Sequence, residues 1–357
     1  MSSVEWEGNT AAFEDDEEKR VLQGALSSFY QYAKVAHYNT THLRRQSFYA
    51  LPKAHWEMLA SPPFSYLETL NAVDDAIDKN SELASAIFHA GLQSFGLSLP
   101  TNEVGVKDPN DWRGVATSND LEKARSTLRQ FFRDWSAEGE SEREACYGPV
   151  ISALRDERTR RSEHKLRVLV PGAGLGRLVF ELCCAGFDAE GNEIIQVPDV
   201  SPALTFGNLE TAGQMSMSAS DFLLLYGDEE QKDTFDAVAT VFFLDTAPNI
   251  IRYIEVIKNC LRKGGLLVNI GPLLWHFENN APGTHGREKE SPGQHDSIGI
   301  ADPGSVELTD DEVMMLVEQL GFDIIHKASR IEAPYIQDKE SMLQNTYKAS
   351  HWVARKK

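Results

Sequence analysis

The chain has 357 residues, 41% of them hydrophobic and 25% charged, close to the average for soluble globular proteins, so one large or two ordinary domains can bury a sizeable core. A formal charge of −19 at neutral pH repels phosphate backbones and anionic lipid, which argues against nucleic acid or a membrane as partner. Glu14-Asp15-Asp16-Glu17-Glu18 near the start is unlike the basic flank and apolar stretch of a secretory signal, and no apolar run reaches the roughly 18 residues of a membrane span.

Residues 13 to 162 read as helices. Leu22, Leu26, Phe29 and Ala33 recur at helical spacing, as do Leu121, Ala124, Leu128, Phe131 and Trp135. From Leu166 the texture changes to short apolar runs alternating with amphipathic helices, the pattern of a doubly wound α/β sheet. The expected organisation is therefore an all-helical N-terminal extension over 1–165 and an α/β domain over 166–357. Leu166 to Val170 is a first strand, followed by a glycine-rich turn and a helix from about Leu175 to Ala185. Phe187 to Glu193 fits a second strand and Phe235 to Leu244 a central one. The next helix places Ile250, Ile254, Ile257 and Leu261 on one face and stops at Lys263-Gly264-Gly265, before a strand from Leu266 to Ile270. The stretch 279–305, rich in Gly, Pro, His and charge, should be a mobile insert. Thr309-Asp310-Asp311-Glu312 has the form of a capping box opening another helix. Phe322 to Lys327 and Ala349 to Arg355 supply two last strands as an antiparallel edge.

The four cysteines, Cys146, Cys183, Cys184 and Cys260, show neither a C-x-x-C pair nor zinc-like spacing with histidines. They read as reduced, buried thiols in a cytoplasmic or nuclear protein, with no metal expected. The turn Pro171-Gly172-Ala173-Gly174-Leu175-Gly176 follows a buried strand, so backbone can approach a ligand closely and the following helix N-terminus favours negative charge. A dinucleotide turn would put its third glycine where Arg177 stands, so the pattern favours the S-adenosylmethionine version. Glu193, at the end of the second strand, can accept the ribose hydroxyls, and Asp221 with Phe222 offers an acid and an aromatic for an adenine.

Four strings go further: Val170 to Arg177, Gly191-Asn192-Glu193, Phe242-Phe243-Leu244-Asp245-Thr246-Ala247, and Gly271-Pro272-Leu273-Leu274-Trp275-His276-Phe277-Glu278-Asn279. Together with Gln130 to Ser136 they resemble the carnosine N-methyltransferase family over about residues 20 to 357. The resemblance implies a class I (Rossmann-like) methyltransferase fold with a helical N-terminal extension. It also implies transfer of a methyl group from S-adenosylmethionine to an imidazole nitrogen of a small histidine-containing dipeptide, as in carnosine to anserine. By matching position it implies cofactor contacts at Gln130, Arg133, Gly172, Gly174, Glu193, Asp221, Phe222 and Val241. Asp245, His276 and Tyr347 are the implied substrate and catalytic positions. Arg133 suits the methionine carboxylate. Asp245 and His276 follow successive strands, so both fall at the carboxyl edge of the sheet, where such folds bind ligands. Singly each has a plainer explanation: Asp245 a helix N-cap, His276 a loop histidine, Tyr347 an edge aromatic.

The sequence departs from the family where Ile194 to Val200 follows Glu193 directly and looks like the next strand, although parallel strands need a crossover of a dozen or more residues. Asn345, where the family tends to have tyrosine, and the 279–305 stretch are further departures. The alternatives are a methyltransferase of the same build acting on another substrate such as a protein histidine, a weak cofactor-binding protein lacking the crossover, and an NAD-dependent oxidoreductase. A homodimer is compatible with the sequence.

Overall fold

The computed structural model describes residues 16–97, 99, 111–162, 165–192, 212–218, 220–277, 304–338 and 340–357. Glu193, the strand expected at Ile194 to Val200 and nearly all of the 279–305 stretch lie outside these residues. Contacts divide the chain into two compact units, Met1–Arg129 and Gln130–Lys357, whereas the change of sequence texture falls near residue 166.

The first unit contains α1 (Asp16–His37), a π-helical turn (Tyr38–His42), α2 (Leu43–Tyr49), α3 (Lys53–Ala60), α4 (Tyr66–Ser94) and most of α5 (Ser118–Trp135). Leu26 from α1 packs with Phe88 and Leu92 from α4 and with Trp112. His37 joins the two helices again, with Nδ1 2.8 Å from Asp74 and Nε2 2.9 Å from Asp78. Hydrogen bonds to Asp78 and Asp74 raise its pKa. Among the described residues no helix is long and apolar enough to cross a membrane.

The second unit is built on a seven-stranded sheet. Its strands are β1 (Arg167–Val170), β2 (Asp188–Asn192), β3 (Met215–Ser218), β4 (Phe235–Val241), β5 (Leu261–Gly271), β6 (Phe322–Pro334) and β7 (Thr346–Lys356). Their order is β3-β2-β1-β4-β5-β7-β6. The first five run parallel, and β7 is antiparallel to both β5 and β6. Alternating residues of the central strands point to opposite faces. Leu169, Val238 and Leu267 enter one core with Ile254 and Ile257 of α9 (Ile250–Cys260). Val168, Ala237 and Val268 enter the other with Leu154 of α6 (Glu140–Arg161) and Leu182 of α7 (Arg177–Cys184). Two cores on one sheet are the physical content of the doubly wound expectation.

Four boundaries differ from the sequence reading. Among the described residues the strand beside β2 is Met215–Ser218, paired in register with Ala189 to Asn192, so the sheet keeps an edge strand there. The central strand stops at Val241, because Phe242 adopts φ 53° and turns the chain away from the sheet. Helix α9 ends at Cys260, with β5 beginning at Leu261, and its N-cap is Asn249, whose side chain accepts Ile251 N and Arg252 N. β6 starts at Phe322 as expected but runs on to Pro334, and β7 extends from Thr346 to Lys356. The capping box at Thr309 is present and opens α10 (Asp310–Gln319).

Buried Glu157 anchors α6 to the sheet: Arg160, Arg161 and Arg355 all donate to its carboxylate, at 2.6 to 2.9 Å. Burial works to raise its pKa, but the arginine hydrogen bonds outweigh this and hold the carboxyl far below its usual range. Such a depressed carboxylate contributes stability above its unfolded pKa of about 4.3 and loses it as pH falls through the folded value. Glu157→Gln is expected to cost about 3 kcal/mol near neutrality, a difference that shrinks below pH of about 4. Melting temperatures of both proteins from pH 7 down to 2 test this, and a constant gap would contradict it.

Candidate active site

The site grows from the end of β1. Gly172, Gly174 and Gly176 have φ of 60°, 55° and 74°, a left-handed turn that closes with Gly176 N donating to Ala173 O at 3.0 Å before α7 begins. A Cβ on Gly172 would lie 2.5 Å from the Phe243 ring, whereas a Cβ on Gly174 would meet nothing within 4 Å, so Gly174 leaves its backbone facing open space. Gly172→Ala should therefore combine backbone strain with a clash and cost about 2 kcal/mol or more of stability, readable in a urea titration; an unchanged midpoint would contradict the geometry.

That open space is a cavity of about 430 Å³ over the carboxyl ends of β1 and β4, where the strand order reverses. Of the positions singled out from sequence, Gln130, Arg133, Gly172, Gly174, Val241 and His276 line it. Gln130 and Arg133 are neighbours on one face near the C-terminal end of α5, as their spacing requires. Arg133 pairs with the buried carboxylate of Asp134, Nε to Oδ1 at 2.6 Å and Nη2 to Oδ2 at 3.1 Å, and its guanidinium lies 4.8 Å from the centre of the Tyr335 ring. Burial opposes the Arg133 charge, but Tyr147 and Asp134 outweigh it and raise its pKa. Its Nη1 donates to no described residue, which leaves one edge of the fork for a ligand carboxylate.

Asp245 lies in a 3-10 turn (Leu244–Thr246) after β4, is 2% exposed, and sits behind the cavity wall formed by Thr246 and His276. Its Oδ2 accepts Leu274 N at 3.0 Å and stands 3.9 Å from His276 Nε2, while its backbone carbonyl accepts His276 N at 3.2 Å. The chain can clasp Asp245 from both sides because Trp275 adopts φ 48°, with its indole anchored by donation to Leu308 O at 3.2 Å. Burial raises the Asp245 pKa, opposed by the Leu274 N–H and by His276. The residue does not cap α9, since Asn249 does. His276 is exposed to the cavity side. Tyr347 is half-buried at the start of β7 and reaches the site through its packing on Phe242 and Tyr335, with ring centres 5.7 and 5.9 Å away.

Asp221 and Phe222 lie behind the lining, Phe222 touching it through Phe243. Asp221 caps the short helix α8 (Phe222–Tyr226), accepting Leu223 N and Leu224 N, and Phe222 packs in the core against Phe243 and Tyr253. Neither lines the cavity. Glu193 lies outside the described residues, although β2 ends close against the turn: a Cβ on Gly191 would be 2.9 Å from that of Ala173. Sequence reasoning did not single out Tyr147 and Tyr335, which complete the wall around Arg133, nor the ring of Phe242. For Phe242 a signal existed inside the quoted Phe-Phe-x-Asp-Thr-Ala string; Tyr335 has no motif around it.

A sheet in this order, with a ligand cavity at the reversal beside a glycine turn, is that of a class I methyltransferase. Within that class the chain belongs to the carnosine N-methyltransferase family, whose model matches residues 110–196 and 194–357. A carnosine N-methyltransferase of Schizosaccharomyces pombe is 33% identical over 96% of this chain and 97% of its own. One from Rattus norvegicus is 29% identical over 97% and 88%, and one from Drosophila melanogaster is 28% identical over 97% and 82%. Among solved structures, a 1,6-didemethyltoxoflavin N1-methyltransferase of Burkholderia thailandensis overlaps 72% of this chain and 98% of that one, at 17% identity and a TM-score of 0.38. The chain is thus a methyltransferase.

Proposed function

We propose that this methyltransferase uses S-adenosylmethionine to methylate an imidazole nitrogen of a small histidine-containing dipeptide, as in carnosine to anserine. The observation that carries the reading is one cavity lined by Arg133, the open backbone of Gly174 and His276, with the Asp245 carboxylate close behind. The residues fit the cofactor. Arg133 has an unspent edge for the amino-acid carboxylate, Gln130 lies beside it, and Gly172 and Gly174 let the chain pass close to a ligand. When bound, S-adenosylmethionine supplies an electrophilic methyl group.

The protein's own residues then have a modest task. Imidazole has a reference pKa near 6.5, so at neutral pH much of the substrate is already an uncharged nucleophile. What it needs is one tautomer and a fixed position. The Asp245 charge, acting directly or through His276, favours a ring N–H directed toward that wall, which leaves the other nitrogen's lone pair for reaction. The same charge stabilises the positive ring that forms. His276 and the Tyr347–Phe242–Tyr335 cluster hold the ring in place. The pairing of β2 with β3 supports this reading over that of a weak cofactor-binding protein, because the edge of the sheet beside the glycine turn is formed.

The test is incubation with methyl-labelled S-adenosylmethionine and a panel of carnosine, other histidine dipeptides, free histidine and a histidine-containing protein. Label in carnosine is expected. Label confined to protein histidine would replace the substrate, and no label in any acceptor despite saturating cofactor would sink the reading.

A further inference from the structure

The first turn of α6 does not line the cavity with Glu142 or Arg143, yet these two residues reach both members of the Arg133–Tyr335 stack. Glu142 is 5% exposed, and its carboxylate extends to the connection between β6 and β7. There Oε2 accepts Ile336 N at 2.7 Å and Oε1 accepts Gln337 N at 2.8 Å. Those amides directly follow Tyr335. Ile336 has φ 50°, a conformation that a β-branched residue adopts only when its surroundings impose it. The Gln337 side chain extends the grip to the start of β7, donating to Asn345 O and to Thr346 Oγ1, each at 2.6 Å. On the same turn of α6, Arg143 Nη1 donates to the carbonyls of Arg133 and Ser136, both at 2.7 Å. Consecutive helix residues point in different directions, so one turn can brace two separate pieces of chain.

We propose that Glu142 is a positioning residue for ligand binding: its two-pronged hold on the Ile336 and Gln337 amides fixes the Tyr335 ring against Arg133. The guanidinium, gripped by Asp134 on one edge and faced by the ring, is thereby kept in the orientation that presents its remaining edge to a ligand carboxylate. The inference rests on the reading of Arg133 as the contact for the amino-acid end of the cofactor. A carboxylate accepting two amide hydrogens makes strong, charge-assisted bonds, so removing it should release the turn rather than soften it slightly.

The experiment compares two ligands by titration calorimetry: S-adenosylhomocysteine, which has the amino-acid carboxylate, and 5′-methylthioadenosine, which has the same nucleoside without it. Glu142→Ala should weaken S-adenosylhomocysteine about tenfold or more. Glu142→Gln, which keeps one acceptor oxygen, should weaken it by a smaller factor. Methylthioadenosine should bind all three proteins within about twofold, because its affinity does not pass through Arg133. A purely structural role would lower the melting temperature without separating the two ligands, so equal losses for both, or no loss for S-adenosylhomocysteine, overturn the proposal. If Glu142→Ala does not fold, the selectivity of Glu142→Gln decides. Failure of the wild-type protein to bind either ligand would instead remove the cofactor reading, and this inference with it.

Discussion

Asp245→Asn should lower kcat about a hundredfold, equivalent to about 2.7 kcal/mol, with the Kd for S-adenosylmethionine nearly unchanged. The substitution is conservative where it should be. An Asn oxygen can still accept Leu274 N, the 3.0 Å bond that holds the loop, and the backbone bond from His276 N to the Asp245 carbonyl does not involve the side chain. What disappears is a negative charge 3.9 Å from the His276 imidazole, at a residue 2% exposed where water does little to screen it. In the proposed reaction methyl transfer builds positive charge on the acceptor ring, so the loss falls on the transition state. Because burial raises the Asp245 pKa, the wild-type rate should also climb as pH rises through that value, reinforcing the loss of a proton from the proposed imidazole substrate. Asn249 already caps α9, so the melting temperature should move little. Single-turnover rates on wild type and variant decide the matter, and a normal rate would remove Asp245 from catalysis.

Arg133→Ala should be more damaging to the protein as a whole. It leaves the Asp134 carboxylate, 1% exposed, with the Tyr147 hydroxyl at 3.1 Å as its one remaining side-chain partner among the described residues. Breaking a buried pair on one side costs about 3 to 5 kcal/mol. The same change removes the proposed cationic partner of the ligand carboxylate, so affinity for S-adenosylhomocysteine should fall by about a hundredfold or more. Arg133→Lys separates the two effects. A lysine keeps the charge beside Asp134 but cannot span two carboxylates with one planar fork, so it should recover much of the stability and little of the affinity. Urea denaturation and calorimetry on both variants measure this. Undiminished affinity in Arg133→Lys would show that the fork geometry is not used.

The elements most legible in the sequence were those whose burial is uniform. The β1 strand, the glycine turn and α7 follow from a short apolar run, three closely spaced glycines and an amphipathic helix, and the structure has them within two residues of expectation. β3 was illegible because Met215-Ser216-Met217-Ser218 is a partly exposed edge strand with no β-branched residue, while Ile194 to Val200 has the stronger β composition. β6 was read short for a related reason. None of its residues from Asp323 to Glu332 is buried, so the apolar alternation that marks a strand is nearly absent. In the site, the residues on strand ends were visible, since topology alone sends Asp245 and His276 to one edge. The left-handed turns at Phe242 and Trp275 were not, because neither residue type advertises positive φ. Glu142 looked like one more acid in a charged helix; its partners stand nearly two hundred positions later and are backbone amides that no composition reveals.

The clasp around Asp245 also sets what can vary beside it. Trp275 Nε1 holds Leu308 O at 3.2 Å, and Val306 N donates to Pro248 O at 3.1 Å, so the chain leaves this neighbourhood after Phe277 and returns to it by Val306. The two ends of the intervening segment are thus pinned together independently of its length. Closing a flexible loop costs only about 0.6 kcal/mol for each doubling of its length. By that measure a change in the number of residues joining Phe277 to Val306 should cost the sheet little. The pinned pair of chain ends therefore fixes where the chain departs from and rejoins the neighbourhood of His276, whatever joins them.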